Sequence, residues 1–203
     1  MSMRFSAGRA NEMESRLVDP ERASFLGNRT TAGIVAGVLL AVVMVAGEQI
    51  GERIDTVLLG GVFPLFGIVI HMICNMTAVV AYGLISALIV ATLNPFIAIA
   101  TGTGPMAPLW FFTNAGASLG GRVVHYWLIR KDVREMSLMH TFLVCLGGMA
   151  VNSAVMTPVQ LFYFRMPWKL VVGMKAAEIA AGTILPAMTA WKAGRALKCI
   201  HEA

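Results

Sequence analysis

A chain of 203 residues that is 57% hydrophobic and only 13% charged, with a mean hydropathy of +0.72, falls outside the ordinary soluble classes, which carry roughly a quarter charged residues. No Lys, Arg, Asp or Glu stands among the 66 residues from Thr56 to Gly121, a stretch long enough to cross a hydrocarbon core about 30 Å thick up to three times. The composition predicts an integral membrane protein, and the net charge of +5 then records orientation in the membrane rather than an affinity for nucleic acid.

The first 29 residues mix Arg4, Arg9, Arg16, Arg22 and Arg29 with Glu12, Glu14, Asp19 and Glu21. They are too long and too acidic for a signal-peptide n-region and read as a cytoplasmic tail, with a short amphipathic helix over 11–18. A first span is expected over 30–47, ending in a polar turn that carries Glu48, Gln49, Glu52, Arg53 and Asp55. The apolar block 56–93 holds 38 residues, enough for two minimal spans of about 18–20. Its least apolar point, His71–Asn75, is the natural place for a hairpin. Asn94-Pro95 should close the third span, because proline pushes its predecessor out of helical geometry. An uncharged connection over 95–108 follows, then a fourth span over 109–128, a fifth over 137–164 with a kink at Pro158, and a sixth over 169–191. The expected fold is all-α: a bundle of six transmembrane helices over 30–192, between cytoplasmic tails at 1–29 and 193–203.

Charge bias supports that count. Six spans with the N-terminus inside put the five tail arginines on one side with Arg130, Lys131 and Arg134 of the 129–136 loop and Lys192, Arg195 and Lys198 of the C-terminal tail, eleven basic residues in all. The other side receives Arg53, Arg165 and Lys169 only. Orientation follows Lys and Arg in short flanking segments, so both termini are expected in the cytoplasm of a cell-membrane protein. A five-span arrangement, with 64–93 as one long tilted helix, would move the 129–136 loop outside. Arg122 and Lys175 remain within spans.

Few residues in this apolar chain invite chemistry. In the first span Ala32-x-x-x-Ala36 and Gly33-x-x-x-Gly37 stack small side chains on adjoining faces, which lets another backbone approach closely. That backbone belongs either to the bundle itself or to a partner protein. Lys175 and Glu178, three apart in the sixth span, are neighbours on one face; intramembrane ionisable groups face a cavity or each other. The uncharged connection 94–108 lies on the external side of this topology, is too apolar to float in water, and is expected to fold back as a lid or site wall. It leads into Trp110, which suits an interfacial belt or a ligand wall, and Asn114. With Asn152 and Gln160 of the fifth span, these polar positions could converge on an otherwise apolar small-molecule site; taken singly, each suits a helix–helix hydrogen bond. Lys175 would then offer a cation to a carboxylate or phosphate. The histidines, His71, His125, His140 and His201, lack paired spacing and cluster toward the cytoplasmic face, so no haem or pigment is expected. Cys74, Cys145 and Cys199 form no CxxC pair. Thr101-Gly-Thr-Gly-Pro105 lacks the Lys of a phosphate loop. No catalytic residue, metal site or cofactor is expected.

With six expected spans, cytoplasmic termini and Ala32-Gly-Ile-Val-Ala36 in the first, the chain resembles the substrate-binding S components of energy-coupling factor transporters. The resemblance implies a binding subunit without enzymatic activity of its own, capturing a vitamin-like micronutrient on the external side. It also implies partners: membrane lipid, a transmembrane coupling subunit docked on Ala32, Gly33, Ala36 and Gly37, and two ATP-binding subunits that hydrolyse ATP. On this reading Trp110, Asn114, Asn152, Gln160, Lys175 and Glu178 wall the substrate site. The alternative class is a structural or assembly subunit of a larger membrane complex with no ligand of its own. A self-sufficient small transporter fits less well, since no inverted repeat is visible.

Overall fold

The computed structural model describes residues 25–27, 30–59, 64–101 and 107–201; the expected amphipathic helix over 11–18 lies outside them. The described residues form six helices and no strand: α1 Thr31–Leu59, α2 Leu65–Ala81, α3 Leu84–Thr101, α4 Ala107–Val123, α5 Leu138–Pro158 and α6 Trp168–His201. Two π-helical turns, Val124–Ile129 and Val159–Tyr163, prolong α4 and α5 without a break. Consecutive helices pack on one another across short connections, so the bundle runs up and down. Within it, α1, α5 and α6 contain stretches long and apolar enough to cross a membrane, while α2 and α3 are apolar and shorter. The outward faces carry Leu39, Val43, Val57, Phe96, Phe112 and Leu128, all exposed, as suits contact with lipid rather than water.

Several boundaries differ from those expected. The first helix does not stop before Glu48 but continues a little over three turns to Leu59. Glu48, Glu52 and Asp55 recur at three- and four-residue spacing, hence on one face, and Glu and Gln are good helix formers. The polar stretch is therefore the inward face of a helix and not a turn. His71–Asn75 is no hairpin either: it lies in the middle of α2, with His71, Met72, Cys74 and Asn75 buried. That helix touches all five others, so its polar groups meet other polar groups instead of solvent. The chain turns at Tyr82–Gly83, where Gly83 has φ +95° and both backbone N–H groups donate to the Ala78 carbonyl, a glycine-dependent helix stop.

Pro95 does not end the third helix; it sits inside α3. A helical proline deprives the carbonyl four residues earlier of its donor. Here that carbonyl is Ala91, and the side-chain amide of Asn114 on α4 donates to it at 3.4 Å. A neighbouring helix thus replaces the missing bond, and of the expected connection only 102–106, outside the described residues, is left for a lid. At the other end of the chain α6 runs through 193–201, so the stretch after the sixth apolar segment is helical.

Close contacts explain the small residues. A Cβ on Gly37 would lie 3.0 Å from the Ser86 carbonyl oxygen, and Ser86 Oγ donates to the Gly33 carbonyl at 2.8 Å. The Gly33/Gly37 face of α1 is therefore packed on α3. Ala32 and Ala36, one position round, are half-buried. At the end of the bundle where Tyr82–Gly83 turns, Arg122 Nε donates to the Phe25 carbonyl at 2.8 Å and Ile85 N–H donates to Leu26 at 3.2 Å, fastening residues 25–27 to the helices.

Candidate functional site

The opposite end of the bundle encloses a cavity of about 480 Å³. Its wall draws on every helix: the last turns of α1, the start of α2, Asn94 of α3, the start of α4, the end of α5 with its π turn, and the first half of α6. In an alternating bundle these segments share one end, which is why residues 48 and 178 meet.

All six residues expected to wall a substrate site line this cavity: Trp110, Asn114, Asn152, Gln160, Lys175 and Glu178. Trp110 is half-buried; the other five are buried. Asn114 also bonds Ala91, and Asn152 Nδ2 donates to the Thr113 carbonyl at 3.3 Å, so both amides join helices while facing the cavity. Lys175 Nζ donates to Glu178 Oε2 within the same helix, which leaves the ammonium already paired. Ala32, Gly33, Ala36 and Gly37 lie near the start of α1, away from the cavity wall.

Reading the sequence alone placed His71 at the inner face and Asn94 at a helix end; both line the cavity. The signal for His71 was available, since His71 and Asn75 stand four apart and share a helix face. Glu48 Oε1 lies 3.3 Å from His71 Nδ1, and Asn75 Nδ2 stands 3.1 Å from His71 Nε2. The same Asn75 nitrogen donates to the Asn114 carbonyl at 3.4 Å, and Asn75 Oδ1 accepts from the Ser118 hydroxyl at 2.9 Å. The contact with Asn114 sets which end of the amide is nitrogen, because the flipped form would turn oxygen against that carbonyl. With the amide so oriented, His71 Nε2 faces an N–H group and Nδ1 faces Glu48. Asp55 contributes differently: its two oxygens accept from the backbone N–H groups of Leu65, Phe66 and Gly67 at 3.0–3.1 Å, where the start of a helix favours negative charge.

His125 and His140 make local structural contacts. His125 Nδ1 stands 2.8 Å from Arg122 Nη1 and Nε2 stands 2.9 Å from the Lys131 carbonyl. His140 completes a capping box with Ser137 at the start of α5. Among the described residues, no three His, Cys, Asp or Glu side chains converge as a metal site. Comparison with protein-family models, curated proteins and solved structures found no match to this chain.

Proposed function

We propose that the chain is the substrate-binding membrane subunit of a multi-component importer of the energy-coupling factor type. It would cross the cell membrane six times with both termini cytoplasmic and capture a small micronutrient-like solute from outside. The observation that carries this reading is the cavity: about 480 Å³, within the range of roughly 300–1,000 Å³ common to small-molecule sites, and walled by polar side chains in an otherwise apolar bundle. Those polar groups stand at the end remote from Lys131, Arg134, Lys192 and Arg195, the end that the basic-residue bias assigns to the exterior. A bundle built only to hold other subunits needs no such cavity. Coupling to ATP hydrolysis would fall to partner subunits, with Ala32 and Ala36 the half-buried remainder of the small-residue face.

Mass spectrometry of small molecules released from the natively purified protein tests the proposal. A reproducibly bound solute that the chain also takes up in cells, only when the coupling subunits are present, is the expected result. A protein that is always empty and purifies only within a larger assembly would overturn it in favour of a structural subunit.

A further inference from the structure

The charges around the cavity are not all paired. Lys175 is bonded to Glu178. The Asp55 carboxylate is taken up by three backbone N–H groups at the start of α2. Glu52 is half-buried, and Arg53, the next residue, is exposed and points away from it on the helix, with no ion pair between them. Glu48 Oε1 lies 3.3 Å from His71 Nδ1 in a contact that completes no hydrogen bond at Nδ1, and an Asn75 N–H group faces the other ring nitrogen, so no bonded cation answers the carboxylate.

Unpartnered atoms point the same way. Glu48 Oε2, Asn94 Oδ1 and Gln160 Oε1 have no hydrogen-bond partner among the described residues. Their side chains belong to residues only 4%, 3% and 4% exposed, and all three residues line the cavity. Each of these three atoms is an acceptor; His71 Nδ1, the other cavity-lining atom without a partner, faces Glu48. A buried acceptor without a donor is costly, and a buried carboxylate without a counter-ion more so. A metal ion fits poorly, because among the described residues no ligand cluster forms and the space far exceeds one dehydrated ion.

We propose that the cavity takes an organic cation, a solute bearing a protonated amine or a comparable N–H-rich cationic group, with Glu48 as its counter-ion and Asn94 and Gln160 as acceptors for its N–H groups. This rests on the reading of the cavity as a solute site and reverses the ligand charge expected from Lys175 alone.

The test is equilibrium binding to the purified full-length chain in detergent. The probes are phenethylamine, tryptamine and histamine, each beside its carboxylate isostere: phenylacetate, indole-3-acetate or imidazole-4-acetate. The expected result is that at least one amine binds more tightly than its isostere. In Glu48→Gln, which keeps shape and removes charge, that amine should bind about tenfold or more weakly, the loss of one charged hydrogen bond. Gln160→Leu supplies a second variant in case Glu48→Gln fails to fold, with weakening in the same direction. Tighter binding of any carboxylate, no binding by any amine, or unchanged amine affinity in whichever variants fold would overturn the proposal. The two readings can fail separately. Release of an anionic solute that the cell imports would leave capture standing and this proposal not. Glu48-dependent amine binding without partner-dependent uptake would do the reverse.

Discussion

Asp55 Oδ2 accepts a hydrogen bond of 3.0 Å from the backbone N–H of Gly67, so the last turns of α1 cap the first turn of α2. The helix has no side-chain cap of its own, since Pro64 stands at that position. Replacing Asp55 with Ala leaves the first N–H groups of α2 without their acceptor at a buried site. The expected loss is about 2 kcal/mol, read as a lowered midpoint of thermal unfolding in detergent. Asp55→Asn, which keeps one acceptor oxygen, should lose less.

The Pro95–Asn114 relationship predicts a coupling with a definite sign. Asn114→Ala removes the donor to Ala91 and should destabilise by about 1–3 kcal/mol. Pro95→Ala restores a backbone N–H for the same carbonyl. In the double variant the cost of losing Asn114 should therefore shrink, and a double-mutant cycle measures the difference.

Two glycines provide a matched pair. Gly37→Ala presses a methyl group against the Ser86 backbone of α3 at 3.0 Å and should cost about 1–3 kcal/mol through overpacking. A Cβ on Gly173 would meet nothing within 4 Å, so Gly173→Ala should be neutral or slightly stabilising. Unfolding midpoints of both variants, compared under one set of conditions, check this.

Lys175 and Glu178 are 8% and 3% exposed. Breaking a buried pair by removing one partner is expected to cost about 3–5 kcal/mol, whereas removing both is much cheaper. Lys175→Met should thus be more damaging than Lys175→Met combined with Glu178→Leu, as measured by the yield of folded protein and the unfolding midpoint.

If a coupling subunit docks on the half-buried alanines of α1, Ala36→Leu should reduce its recovery with the tagged chain while leaving the unfolding midpoint near that of the parent. Gly37→Leu should lower the midpoint itself, because that residue already serves the contact with α3. Full recovery of the partner with Ala36→Leu would remove this face from the interaction.

Helix number and the composition of the cavity wall were legible because both follow from where an apolar chain tolerates polarity. Asn114, Asn152, Gln160, Lys175 and Glu178 stand out against their neighbours, and intramembrane polar groups tend to converge. Helix boundaries were less legible. Reading polar residues as solvent-facing misplaced 48–55 and 71–75, since each is buried against polar residues of helices distant in sequence. Pro95 misled for a related reason: whether a proline ends a helix depends on whether a donor elsewhere takes the freed carbonyl, and Asn114 is nineteen positions away. The vacancy of Glu48 was hidden because it depends on the orientation of the Asn75 amide, which α2 and α4 determine together.

The central position of α2 separates the cavity from the thickness of the bilayer. Its 17 residues amount to about 26 Å of helix, shorter than a typical hydrocarbon core of about 30 Å. Of its residues only Phe66 is exposed, because the other five helices surround it. In a bundle that spans the membrane as proposed, lipids that thicken or thin it would be met by tilting of the surrounding helices, while the length of α2 would be set by its neighbours. His71 and Asn75 are thereby held at a depth measured from protein and not from lipid.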